Sequence, residues 1–141
     1  MGQIQKASDF IVQKCKENGI VVHRYKAKTS NSIYLKFDWG VAHSLRISDH
    51  KGVKKYHYRF SLLKGLRKTT RITMRNNSHS TYYPFREIYQ CWDDILRNRK
   101  EVMKKKGKEL YLKEMKEMEE RINRLPRHKL YPFWKYGKKL T

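Results

Sequence analysis

Apolar residues change their spacing twice along this chain, and each change marks a change of secondary structure. Near the start, Ala7, Ile11 and Cys15 recur every four residues with Phe10 beside them, which predicts a helix over 9–18 with one buried face. Ser8 is suited to cap it, and Gly19 to stop it in a left-handed conformation. From Ile20 the period falls to two. Residues 20–26 form a β-branched first segment, and in 32–39 Ile33, Leu35, Phe37 and Trp39 alternate with Tyr34, Lys36 and Asp38. The alternation continues in 43–48 with Leu45 and Ile47. It continues again in 54–62, where Tyr56, Tyr58, Phe60 and Leu62 oppose Lys55, His57, Arg59 and Ser61. Residues 66–74 predict a last strand that places Arg71 opposite Ile72. Gly40 and the run Asp49, His50, Lys51, Gly52 read as turns.

The period then lengthens again. After a polar stretch at 76–81, expected to be a loop, Pro84 suits the first position of a helix. Phe85, Ile88, Trp92, Ile95 and Val102 carry that helix as far as Gly107. Beyond it Tyr111, Met115, Met118, Ile122 and Leu125 step by four and three until Pro126, a seam too short to stand as an independent coiled coil. The seam must pack on the domain or on a second copy of the chain, which makes a homodimer a candidate assembly. The expected fold is α+β: an N-terminal helix, an antiparallel meander of four to five strands, then one or two C-terminal helices packed on one sheet face. Residues 1–106 are expected to form the core domain and 107–141 a C-terminal helix with a basic aromatic tail. One sheet face gathers apolar side chains under the helices, and the other is expected to remain open.

Charge adds a function to this outline. The 141 residues hold 34 Lys and Arg against 13 Asp and Glu, a net of +21. Solubility alone asks for a net charge of only about 2–8 in a small domain. The excess is local: residues 20–75 carry +12 and residues 96–141 carry +10, while 76–95 carry −2. A self-repelling surplus of this size points to a polyanionic partner, and phosphates supply affinity through counterion release without sequence reading. DNA or RNA is therefore the expected partner, free or within a ribonucleoprotein effector.

The polar strand face concentrates the candidates. Lys36, Arg46, Lys55, Arg59 and Arg71 would lie about 5 Å apart across strands and about 7 Å apart along them, close to phosphate spacing. Tyr34 and His57 share that face and suit base stacking or sugar contacts. Asp38 is the one acid expected among these strands. Tyr56, Tyr58 and Phe60 are assigned to the core instead, because their face also carries Ile33, Leu35 and Leu45. In the tail Trp134 and Lys135 stand for a mixture of rings and cations suited either to nucleic acid or to docking on the domain.

Other chemistry is thinly represented. No catalytic residue, metal ligand set or cofactor site is expected, since the histidines match no HExxH spacing and no phosphate-cradling glycine loop occurs. Were there nuclease activity, Asp49, His50 and His57 would be the residues to test. Cys15 and Cys91 fall at apolar helical positions and read as reduced, buried thiols. No run suits a membrane span or a secretory leader, so a cytoplasmic protein without membrane contact is expected.

Residues 32–40, 45–52 and 56–60 together resemble small basic accessory proteins encoded by bacteriophages and prophages. Some proteins of that kind inhibit host defence, anti-CRISPR proteins among them. The resemblance thus implies an alternative function: an inhibitor that occupies a nuclease or a guide ribonucleoprotein. The order of elements is also similar to double-stranded RNA-binding domains and to the three-strand DNA readers of phage integrases, which bears on fold alone.

Overall fold

The computed structural model describes residues 2–28, 30–48, 58–62 and 79–141, with the backbone alone at 58–62 and 79–82. Helix α1 spans Gln3–Glu17. It starts earlier than the capping pattern predicts, because Ile4 extends the apolar stripe by one turn and packs on the core. Ser8 is therefore not a cap: it is fully buried in mid-helix and its Oγ accepts a hydrogen bond from Arg24 Nη1 at 3.1 Å. Gly19, at φ 67°, takes the left-handed conformation just past the helix end.

The strands are β1 (Val22–Lys26), β2 (Ile33–Phe37), β3 (Ser44–Ile47), β4 (Tyr58–Leu62) and β5 (His79–Tyr83). They form an antiparallel meander, and the short β6 (Lys138–Lys139) adds to its far edge to give the order β5-β4-β3-β2-β1-β6. The fold is α+β, as the periodicity predicts. One stretch departs from expectation. Residues 76–81 read as a loop, yet His79–Tyr83 pairs with β4 from Leu62↔His79 to Tyr58↔Tyr83. An edge strand satisfies a ladder on one side only and tolerates polar residues, so Thr81, Tyr82 and Tyr83 can pair despite their polar neighbours. The strand expected over 66–74 lies outside the described residues.

Past β5, a short turn at Phe85–Glu87 leads into α2 (Ile88–Lys106), and α3 (Lys108–Arg124) follows directly. Gly107 separates the two helices at φ 87°, a conformation that disfavours any residue with a Cβ. The core lies between one sheet face and the helices. Val22, Leu35, Phe37, Leu45 and Ile47 from the strands meet Ile11, Cys15, Cys91, Trp92 and Ile95 from α1 and α2. Full burial of a Leu, Ile or Phe side chain contributes about 1.5–3 kcal/mol. That face anchors the domain.

The C-terminal tail is folded as well. Helix α4 (Pro132–Tyr136) and β6 return to β1, with His23 opposite Lys139 and Arg24 opposite Lys138. Leu140 N–H donates to the Val22 carbonyl at 2.9 Å, and Thr141 Oγ1 bridges the Val22 N–H and the Ile20 carbonyl. Gly137 permits the docking: a Cβ there would stand 2.4 Å from the Phe133 carbonyl oxygen and 3.3 Å from that of Arg24. The second sheet face, expected to be open, is covered by α4 at its β1 end. The boundary expected at residue 106 falls between two helices that share one core, for Tyr111 of α3 is fully buried in it.

Candidate nucleic-acid interface

On β2 the buried residues Ile33, Leu35 and Phe37 alternate with half-buried Tyr34 and Lys36, so these two project from the face opposite the main core. Antiparallel register sets their neighbours: Tyr34 stands between Tyr25 of β1 and Arg46 of β3, and Lys36 between His23 and Ser44. The sequence-predicted residues Tyr34, Lys36 and Arg46 are thus brought together. The Arg46 guanidinium lies 5.7 Å from the Tyr34 ring centre, and its Nη2 donates to Ser32 Oγ at 3.3 Å. Tyr25 and Tyr34 stack with centres 6.0 Å apart and planes 27° apart. From above, Phe133 of α4 meets Tyr25 edge-on at 6.1 Å, and Lys36 Nζ approaches the Phe133 ring to 5.1 Å. Tyr25, Tyr34, Phe133, Lys36, Ser44 and Ser30 line a cavity of about 390 Å³.

Its electrostatics are one-sided. Among the described residues no carboxylate pairs with Lys36 or Arg46. Burial lowers the pKa of the Lys36 ammonium, because its charged form has lost water without gaining an anion. Such a cation would be stabilised by a phosphate.

Asp38, expected on this polar face, is elsewhere. The chain enters a left-handed turn at Asp38 and Trp39, with φ 51° and 59°, and the Asp38 side chain is fully buried. Its Oδ1 accepts from Val21 N–H at 3.1 Å, and its Oδ2 accepts from Arg99 Nε at 2.6 Å and from the Tyr111 hydroxyl. Burial opposes the charge of Arg99, and the Asp38 carboxylate more than compensates, so the guanidinium pKa rises. For Tyr111 burial raises the phenol pKa and the Asp38 hydrogen bond adds to it. This acid ties the β2 end to α2 and α3.

Beside the first cavity, Trp134 does not extend into solvent. Its ring stacks on Trp39 at 6.0 Å, and His23 packs against both at 4.4 Å and 5.0 Å. Burial, with Lys139 nearby, pushes the His23 pKa down to about 4. A second cleft of about 430 Å³ opens here, lined by Trp134, Trp39, Lys36 and Met118 together with Glu114, Glu117 and Arg121 of α3. Lys135 lies farther along α4, 5.6 Å from the Tyr136 ring, which Lys28 and Arg127 also approach at 4.4 Å and 5.4 Å. The expected seam is used internally at its start, with Tyr111 and Met115 packed on the core.

Arg59 is the register partner of Arg46. Lys55, His57 and Arg71 lie outside the described residues, as do Asp49 and His50. Tyr25, Ser44 and Lys28 are additions that sequence reasoning missed, while Phe133 belongs to the tail of rings and cations read there as suited to nucleic acid or to docking. Tyr25 was legible, since it lies two residues from His23 on the same strand parity, whereas Phe133 reaches the site only through the fold of the tail. Both cysteines are buried thiols; burial pushes Cys15 up to about 12 and raises Cys91 as well, which removes thiolate chemistry. Among the described residues no three potential metal ligands converge, and no helix is long and apolar enough to cross a membrane.

The chain matches no family model, no curated protein and no solved structure. The site itself therefore carries the functional argument.

Proposed function

We propose that this chain is a nucleic-acid-binding protein, without catalytic activity of its own, that grips phosphates through the polar face of its sheet. One observation carries the reading: Lys36 and Arg46 stand on that face beside Tyr34 and Tyr25 with no carboxylate paired to them among the described residues. An ordinary solvated face of a sheet mixes signs, and the acid expected here, Asp38, points into the core. The surplus of +21 adds a long-range field that draws polyanions to the surface. Buried, unpaired thiols suit a reducing compartment such as the cytoplasm.

Fluorescence anisotropy with labelled oligonucleotides tests the reading. Affinity is expected to fall linearly on logarithmic axes as salt rises, with a slope of about −0.9 per phosphate contact on duplex DNA and about −0.7 on single strands. Absence of binding to DNA and RNA at low salt would overturn it.

A further inference from the structure

Two neighbouring concave sites among the described residues differ in a way that bears on the form of the nucleic acid. The Trp39–Trp134 cleft includes Glu114 and Glu117 in its wall, and carboxylates repel phosphate. The cavity over β1 and β2 has no acid in its lining: three rings, Tyr25, Tyr34 and Phe133, surround Lys36, Ser44 and Ser30. We propose that this ring-lined cavity receives one unpaired nucleobase, so that the face takes single-stranded nucleic acid in preference to duplex. The proposal rests on the phosphate-binding reading and narrows it.

The geometry supports each part of that assignment. At about 390 Å³ the cavity falls in the size range of small-molecule sites, and its rings are half-buried rather than raised above the surface. A base held in a duplex is stacked on both faces and paired at its edge, so it cannot reach recessed rings without being extruded. An unpaired base can enter and stack on an aromatic wall. The Ser44 hydroxyl offers a hydrogen-bond partner for its polar edge, while Lys36 beside it stays available to the adjoining phosphate. Cations flank the cavity on both sides: Arg46 lies over Tyr34, while Lys28, one residue past Ala27 of the lining, belongs with Arg127 and Lys135 around Tyr136. A strand entering with one base inserted would present phosphates to both groups.

The test compares labelled oligothymidylate and oligouridylate with the same strands annealed to their complements, at one low salt concentration. Single strands are expected to bind at least about tenfold more tightly than duplex. Stacking is worth about 1–3 kcal/mol per base, so Tyr34→Ala should weaken single-strand binding by about 5-fold to about 150-fold, while Tyr34→Phe keeps it and duplex binding changes less than about twofold. Trp134, whose ring centre lies 5.0 Å from that of Phe133, supplies a readout in the protein with Trp39 and Trp92 replaced by Phe: its emission should change with single strands and not with duplex. Tighter binding of either single strand than of its duplex supports the proposal. Equal or tighter binding of duplex, or a folded Tyr34→Ala protein with undiminished single-strand affinity, would overturn the cavity assignment and leave the phosphate reading standing. Failure of every strand and duplex to bind would overturn both.

Discussion

The two faces of β2 carry alternate residues of one five-residue segment and have opposite requirements. Ile33, Leu35 and Phe37 are buried among side chains from α1 and the neighbouring strands, and their affinity for one another is satisfied within the fold. Tyr34 and Lys36, on the opposite face, are half-buried beneath a tail that covers only the β1 end. The first face is complete without a partner. The second holds a desolvated Lys36 with no carboxylate paired to it among the described residues, beside recessed rings, and burying a charge without an anion costs stability that a ligand can relieve. The same contrast separates two charged groups near this strand. Asp38 is fully buried and takes hydrogen bonds from a backbone amide, Arg99 and Tyr111, whereas Lys36 has no paired carboxylate among the described residues. A satisfied buried charge is architecture; a half-buried one with no paired carboxylate among the described residues is a group that a phosphate would stabilise.

The largest expected effect breaks the satisfied side. Asp38→Ala leaves the Arg99 guanidinium and the Tyr111 hydroxyl without their acceptor and should cost about 3–5 kcal/mol, toward the low end because Arg99 keeps some access to water. Urea unfolding would show it as a lower midpoint with little change of slope. A midpoint equal to that of the parent would mean that Asp38 does not join β2 to the two long helices.

A smaller effect concerns His23, under the docked tail. Its pKa is about 4 in the fold against 6.5 when unfolded, so between these values the unfolded chain binds more protons than the folded one. Its contribution to stability is therefore constant above about pH 6.5 and falls as pH drops toward 4, by no more than about 3 kcal/mol in total. His23→Phe retains a ring against Trp39 and Trp134, and removes a buried Nδ1 that has no hydrogen-bond partner among the described residues. Thermal unfolding across that pH range should be flatter for this variant than for the parent. Parallel curves would contradict the assignment.

Much of this contrast was legible before any coordinates. Period-two alternation at 32–48 gave the face of every residue in β2 and β3, because a strand with one buried side leaves no freedom of register. Four things were hidden, each for a physical reason. Ser8 is both a good cap and small enough for a helix–sheet contact, and only packing chooses between these roles. Asp38 continues the outward parity of the strand, but the positive φ of Asp38 and Trp39 ends the strand and sends the carboxylate inward. The docking of Phe133 and Trp134 depends on contacts about a hundred residues apart in sequence, which local spacing does not encode. The strand at His79–Tyr83 was masked by the polarity that an edge position allows.

Substitutions on the polar face have the smallest expected effect on folding and the most to say about function. Lys36→Ala combined with Arg46→Ala should move the unfolding midpoint little, since neither residue pairs with a carboxylate among the described residues. The decisive measurement is the salt dependence of single-strand binding by this double variant beside the parent. If both cations contact phosphate, affinity drops at every salt concentration and the logarithmic slope becomes shallower by about 1.4, about 0.7 for each contact removed. Two superimposable lines, with the same slope and the same affinity, would show that the polar face of the sheet is not where this protein holds nucleic acid.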